Sequence, residues 1–153
     1  MNQIHIIDYE DMYWPEYQRL SYEWLEEYSL LEPEDVRILS NPREAVLDRG
    51  GYIFFAECSG EIIGTVSLIR VDAVTFELAK LAVAQPYRGL GIGSVLIQRC
   101  LETADKENIH KIILFTNHKL LPAIALYRKF NFRETEHANG KYIKSDLKME
   151  LEL

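Results

Sequence analysis

Apolar positions along the chain fall into two patterns, one of helical spacing and one of strand-like runs. Tyr17, Leu20, Trp24, Leu25 and Tyr28 recur in steps of three and four, which predicts an amphipathic helix over residues 16–28 with Pro15 in its first turn. A shorter helical stretch spans 33–39 and is broken at Asn41-Pro42. The clearest helix begins at Ile92. Ile92, Leu96, Cys100 and Ala104 form one row, Ile97 and Leu101 lie beside it, and Asn108 marks its stop. A last short helix is expected over 122–130.

Between these helices lie runs rich in Ile, Val and Phe, bounded by turn residues. They predict strands over 4–7, 52–57, 62–69, 73–84 and 111–116, with a further strand region opening at Phe132. Gly50-Gly51 is a joint before the second strand, and Ser59-Gly60 turns the second strand into the third as a hairpin. At the end, Leu147, Met149, Leu151 and Leu153 alternate with Lys148, Glu150 and Glu152, the period of a half-buried strand. The order is β-α-α-β-β-β-α-β-α-β-β. Short connections among the middle strands imply antiparallel pairing, whereas the two strands flanking the long helix can be parallel. The expected class is α/β in the α+β sense: one mixed, mostly antiparallel sheet flanked by helices. With no repeat, low-complexity tract or linker, one domain is expected over residues 1–153.

Composition narrows this little. The 153 residues are 48% hydrophobic and 27% charged, an ordinary globular balance. Lys plus Arg number 17 against 24 Asp plus Glu, a net charge of −7, which argues against nucleic acid as a partner. Cys58 and Cys100 sit in apolar stretches outside any CxxC pair and are expected to be reduced and buried. His5, His110, His118 and His137 have no ligand spacing, so no metal is expected. No basic leader precedes an apolar run at the amino terminus, and no apolar stretch approaches the ~20 residues of a membrane helix. The expectation is a cytoplasmic protein with no membrane partner.

The chemistry is concentrated in Arg88-Gly89-Leu90-Gly91-Ile92-Gly93, which opens the long helix. Glycines let a ligand approach the backbone, and a helix start offers free N–H groups and the positive dipole end to an anion. A Walker loop would need Lys where Ser94 follows Gly93. A dinucleotide fingerprint would need glycine where Ser94 or Leu96 stands. The segment instead resembles the Arg/Gln-x-x-Gly-x-Gly/Ala signature of the GNAT superfamily of acetyl-CoA-dependent N-acetyltransferases, and Leu81-Ala82-Val83 is similar to the end of that family's central strand. Downstream, Thr116-Asn117 followed by Ala123-Ile124-Ala125-Leu126-Tyr127 and Phe130-Asn131-Phe132 resembles its second segment. Asn131 stands where the family usually has Gly, and Asn is the next residue most willing to take the left-handed conformation. The segment from Trp24 to Pro42, the turn at Gly60 to Gly64 and the ending from Tyr142 extend the resemblance over nearly the whole chain.

The resemblance implies the GNAT (acyl-CoA N-acyltransferase) fold, acetyl-CoA as co-substrate, and transfer of its acetyl group to a primary amine. Residues Arg88, Gly89, Leu90, Gly91, Ile92, Gly93 and Ser94 would hold the pyrophosphate. Leu81, Ala82, Val83, Asn117, Ala123 and Leu126 would line the pantetheine arm, with the Val83 N–H meeting the oxyanion. Tyr127 would contact the cofactor and protonate the departing thiolate. Glu77, six places before Val83, is the candidate base; its bland alternative is a solvated strand carboxylate paired with Lys80. Trp24, Tyr28 and Glu32 are candidate acceptor contacts, although Trp24 and Tyr28 also read as helix-face core, and Glu27, Glu32 and Asp35 as solvated. The implied partner is a small-molecule amine, and a homodimer is compatible with this reading. The competing functions are a non-catalytic acyl-CoA sensor or interaction module on the same fold, and a protein acetyltransferase.

Overall fold

The computed structural model describes residues 3–137 and 141–153. Seven strands form one sheet in the order β1-β2-β3-β4-β5-β7-β6. They are β1 (Ile4–Asp8), β2 (Tyr52–Cys58), β3 (Glu61–Arg70), β4 (Thr75–Val83), β5 (Lys111–Thr116), β6 (Arg133–Thr135) and β7 (Leu147–Glu152). The helices are α1 (Trp14–Glu27), α2 (Pro33–Ser40), α3 (Pro42–Ala45), α4 (Ile92–Lys106) and α5 (Leu121–Lys129). The order expected from the pattern stands, with one addition. Asn41-Pro42 ends α2 but also starts the single turn α3, because the Asn41 side chain accepts the Glu44 N–H at 3.3 Å and Pro42 suits a first turn.

All neighbouring strands pair antiparallel except β4 and β5, which the crossover helix α4 joins in parallel. The β2–β3 hairpin turns on Ser59 (φ 52°) and Gly60 (φ 81°), the two left-handed residues of a tight hairpin turn. Asn131 takes φ 71° at the end of α5, as its place in the sequence predicts.

The sheet separates two cores. On one face α4 and α5 lay Leu96, Ile97, Cys100, Ile124 and Tyr127 over Phe54, Val66, Leu68, Leu78, Ile112 and Leu114. On the other, Tyr17, Leu20, Ile38 and Leu39 of α1 and α2 cover Ile53, Phe55, Ile69 and Ala82. Each such side chain removed from water contributes about 1.5–3 kcal/mol. Gly64 suits this packing, since a Cβ there would lie 3.1 Å from Leu96 and 3.3 Å from Ile92, tighter than an ordinary contact. Both cysteines are buried and free. Leu153 departs from the alternation: it lies beyond the last residue of β7 and is 55% exposed.

Candidate functional site

The site begins with a fault in β4. Ser67 pairs with Ala79 and Thr65 with Ala82, so Lys80 and Leu81 together oppose the single residue Val66. This is a bulge, and it bends the strand that carries it. Lys80 takes φ 58°, uncommon for a residue with a side chain, and is held there by an ion pair with Asp35 of α2. Both side chains are only 4% exposed, so the pair is buried across the α2–β4 boundary. The parallel ladder between β4 and β5 runs only from Thr75↔Lys111 to Glu77↔Ile113. Beyond it β4 bends away and the two strands open into a wedge.

Peptide groups line this opening. The Ala84 N–H donates to the Ile63 carbonyl at 2.8 Å, so alternation turns Ala82 and Ala84 toward β3, and Leu81 and Val83 toward the open edge. The expectation for Ala82 is therefore corrected. Its peptide belongs to the β3 ladder, and its side chain packs in the core beneath α1 and α2.

A cleft runs through the wedge. It brings together Trp24, Glu32, Glu77, Leu81, Ala82, Asn117 and Tyr127 of the residues singled out in the sequence, and adds Ser21, Asp35, Lys80, Phe115, Tyr142 and Lys144. Tyr28 stands behind Trp24, with ring centroids 5.2 Å apart. Ala123 is core, and Leu126 packs on α4, where a Cβ on Gly93 would come within 3.0 Å of it.

The glycine loop follows the end of β4. Gly89 (φ 79°) and Gly91 (φ 81°) are left-handed, and a Cβ on either would meet no atom within 4 Å. These glycines are set by backbone conformation, and the space above them is open. Gly91 caps α4, so the N–H groups of Ile92, Gly93 and Ser94 form its first turn and lack carbonyl partners within the helix. This geometry fits a phosphate group. Arg88 is turned away from that role: its Nε donates to the Val83 carbonyl at 3.0 Å, its Nη1 bonds Glu27 at 2.6 Å, and its guanidinium lies 4.6 Å from the Trp24 ring. Glu27 is thus exposed but paired.

Glu32, Asp35 and Glu77 are buried in the cleft, contrary to the solvated surface expected for Glu32 and Asp35. Glu32 accepts the backbone N–H groups of Ile143 and Lys144, the latter at 2.8 Å, and shares a capping box with Asp35 at the start of α2. Its carboxylate is a clamp on the 141–146 segment, not a free acceptor contact. Glu77 is 2% exposed and pairs with Lys141 at 2.9 Å, not with Lys80. Asn117 has its amide engaged with the Lys144 carbonyl at 2.8 Å and its carbonyl with the Lys119 N–H at 2.9 Å. His118 is an exposed partner of Asp146. Burial pushes the Tyr127 phenol well above its ordinary pKa. Burial also raises Tyr142, and the nearby Glu77 and Asp35 carboxylates raise it further. The Tyr142 hydroxyl and the Ser21 hydroxyl are buried without hydrogen-bond partners among the described residues. Lys80 and Lys144 escaped the sequence reading as site residues because Asp35 and Glu32, which they meet, lie 45 and 112 residues away in the chain; Lys141 meets Glu77 from a similarly distant segment, and no local signal marks Tyr142.

The sheet splits between two parallel strands, and a helix start whose geometry fits an anion stands beside the split. Comparison makes the class specific. The family model described as Acetyltransferase (GNAT) family matches residues 6–132, and the chain belongs to that family. An N-alpha-acetyltransferase of Sulfolobus acidocaldarius is 30% identical over 112 residues, covering 61% of this chain and 62% of the relative. N-acetyltransferase 8 of Rattus norvegicus is 30% identical over 93 residues, covering 58% of this chain and 42% of the relative. The chain thus matches less than two thirds of the length of these relatives. A GNAT-family acetyltransferase of Staphylococcus aureus Mu50 superimposes with a TM-score of 0.88 at 26% identity, covering 98% of this chain and 99% of that one. The Thermoplasma acidophilum paiA N-acetyltransferase, solved in complex with coenzyme A, shares the fold with a TM-score of 0.75 at 19% identity, covering 99% of each chain. Among the described residues no helix is long and apolar enough to cross a membrane, and no group of three or more His, Cys, Asp or Glu side chains could hold a metal ion.

Proposed function

We propose that the protein transfers the acetyl group of acetyl-CoA to a primary amine by direct attack on the thioester, acting in the cytoplasm. The observation that carries this is the wedge between β4 and β5, with Glu77 at its closed end and Tyr127 on a wall of the same cleft. The pyrophosphate sits on Gly89 and Gly91 and the first turn of α4. The pantetheine arm lies in the wedge as an extra strand, bonded to the outward peptide of Leu81 and the N–H of Val83, whose carbonyl already accepts from Arg88. Asn117, whose amide is already engaged, shapes the edge of the arm and leaves the bonding to those peptides.

Amine deprotonation, oxyanion stabilisation and thiolate protonation then need one donor or base each. Glu77 and Val83 lie six residues apart on β4 with the bulge between them, a wide separation for a base and an oxyanion donor that serve one carbon atom. The Leu81 N–H, on the same open edge and two residues nearer, is the donor we assign. Glu77 removes the amine proton, directly or through water, and Tyr127 gives its proton to the thiolate. The 141–146 segment, clamped to α2 by Glu32, narrows the acceptor side to a small amine. A second reading, the amino terminus of a protein, is favoured by the similarity to the archaeal N-alpha-acetyltransferase.

The test is release of thiol from acetyl-CoA across amino acids, polyamines, aminoglycosides and short peptides. At least one amine should raise release above the hydrolysis baseline. Tight acetyl-CoA binding without turnover on any amine would point instead to an acyl-CoA sensor.

A further inference from the structure

An amine already sits on Glu77. The Lys141 ammonium lies 2.9 Å from the Glu77 carboxylate, which is otherwise almost fully buried. Tyr142, the next residue, lines the cleft, and its ring centroid is 5.5 Å from the same ammonium. Other lysines are placed differently. Lys80 is also bonded to a cleft carboxylate, Asp35, but its side chain is 4% exposed and has no room to move. Lys111 of β5 and Lys148 of β7 pair with Glu150 of β7. Lys141 keeps 30% of its side chain exposed and, among the described residues, pairs with Glu77 and, at 3.8 Å, with Glu34. If an acceptor amine must reach Glu77 to lose its proton, Lys141 occupies the place of that amine.

We infer that Lys141 is a substrate of its own active site, acetylated at Nζ by acetyl-CoA bound to the same chain. The inference rests on the acetyl-transfer reading above. The Lys141 ammonium gives one proton to Glu77, and the neutral nitrogen attacks the thioester carbonyl. The carbon–sulfur bond breaks as the amide forms. The thiolate takes the Tyr127 proton, and Tyr127 is reloaded with the second proton lost by the nitrogen. Glu77 returns its proton to water. One lysine ammonium and one acetyl-CoA become one acetyl-lysine, one free thiol and one released proton. The product is neutral and no longer pairs with Glu77, so the modification uncovers the base for external amines.

The test incubates the purified full chain with acetyl-CoA and follows intact mass and modified peptides over time. Lys141 should gain one acetyl group at a rate independent of protein concentration, at least ~10-fold faster than the exposed Lys119 and Lys129, because its nitrogen is held at the site. Glu77→Gln and Tyr127→Phe should each slow labelling of Lys141 and leave Lys119 and Lys129 unchanged. Lys141→Gln, which carries the neutral amide, should lower the KM for an external amine. Labelling of Lys141 no faster than that of Lys119 and Lys129, or labelling unaffected by both site substitutions, would overturn the inference. Turnover of an external amine with Lys141 left unmodified would overturn self-acetylation alone. Absence of both reactions would overturn the acetyl-transfer reading with it.

Discussion

Tyr127 illustrates how burial sets a side chain's chemistry. Desolvation holds its phenol above the ordinary value of about 10, at which the group is already protonated in the neutral range, so the hydroxyl is present as a donor. Tyr127→Phe keeps the ring against Phe132 and removes one hydroxyl. Turnover with an identified acceptor should fall about 100-fold, the low end for general acid–base groups, because a thiolate leaves readily. Acetyl-CoA affinity, measured by calorimetry, should stay nearly constant, since one neutral hydrogen bond is worth about 0.5–1.5 kcal/mol. Equal rates in the two proteins would remove Tyr127 from the mechanism. Glu34 titrates in the opposite sense. The hydrogen bond from Arg37 holds its carboxyl below the usual range against a smaller desolvation effect. A folded-state value below the unfolded one means stability that is present above the unfolded value and lost as pH falls through the folded one. Glu34→Gln should therefore show a shallower loss of melting temperature with acid, from the ordinary Glu value downward, than the wild type. Neither the burial of Glu32 and Asp35 nor the pairing of Glu77 with Lys141 was legible in the sequence. A charged residue in an amphipathic stretch defaults to solvent, and only partners brought in from distant segments reverse that default.

Elements with local causes were legible, and those with distant causes were not. The glycine loop, α4 and the Ser59-Gly60 hairpin are written in adjacent residues, so pattern and turn chemistry suffice to place them. The bulge in β4 is not, because Lys80 is no turn residue and its left-handed backbone is maintained by Asp35 on another element. Asp35→Ala should leave the Lys80 ammonium buried and unpaired, at a cost of about 3–5 kcal/mol in urea denaturation. Asp35→Leu combined with Lys80→Met should recover much of that loss and still impair turnover if the pair's role is to shape the wedge. A loss under 1 kcal/mol for the single variant would show that the pair contributes little to stability. In the loop, Gly91→Glu should abolish acetyl-CoA binding, since it places bulk and negative charge at a position where a Cβ meets only open space. Unchanged affinity by calorimetry in a folded variant would remove the loop from the cofactor site.

At the scale of the molecule the element order pointed to antiparallel pairing among the middle strands and allowed a parallel pair beside α4, whereas the place of β7 between β5 and β6 and the split between β4 and β5 were not legible. Strand periodicity reports which residues are extended and is blind to where two strands stop pairing. A ligand that spans this split binds only the folded chain, so acetyl-CoA at 100 times its dissociation constant should stabilise by about 2.7 kcal/mol and raise the melting temperature. NAD and ATP at equal concentration should raise it less, and a larger shift with NAD would restore the dinucleotide reading of the loop. The split also divides the chain by order of synthesis. β1 to β4 and α4 precede residue 107, β5 to β7 follow residue 110, and the β4–β5 seam between them is a ladder of three residue pairs. A break in the 107–110 turn would produce two pieces that both line the cleft. Acetyl-CoA would act across that break as a staple, and the yield of reassembled protein from two separately made fragments would become a gauge of how much of the ligand is present.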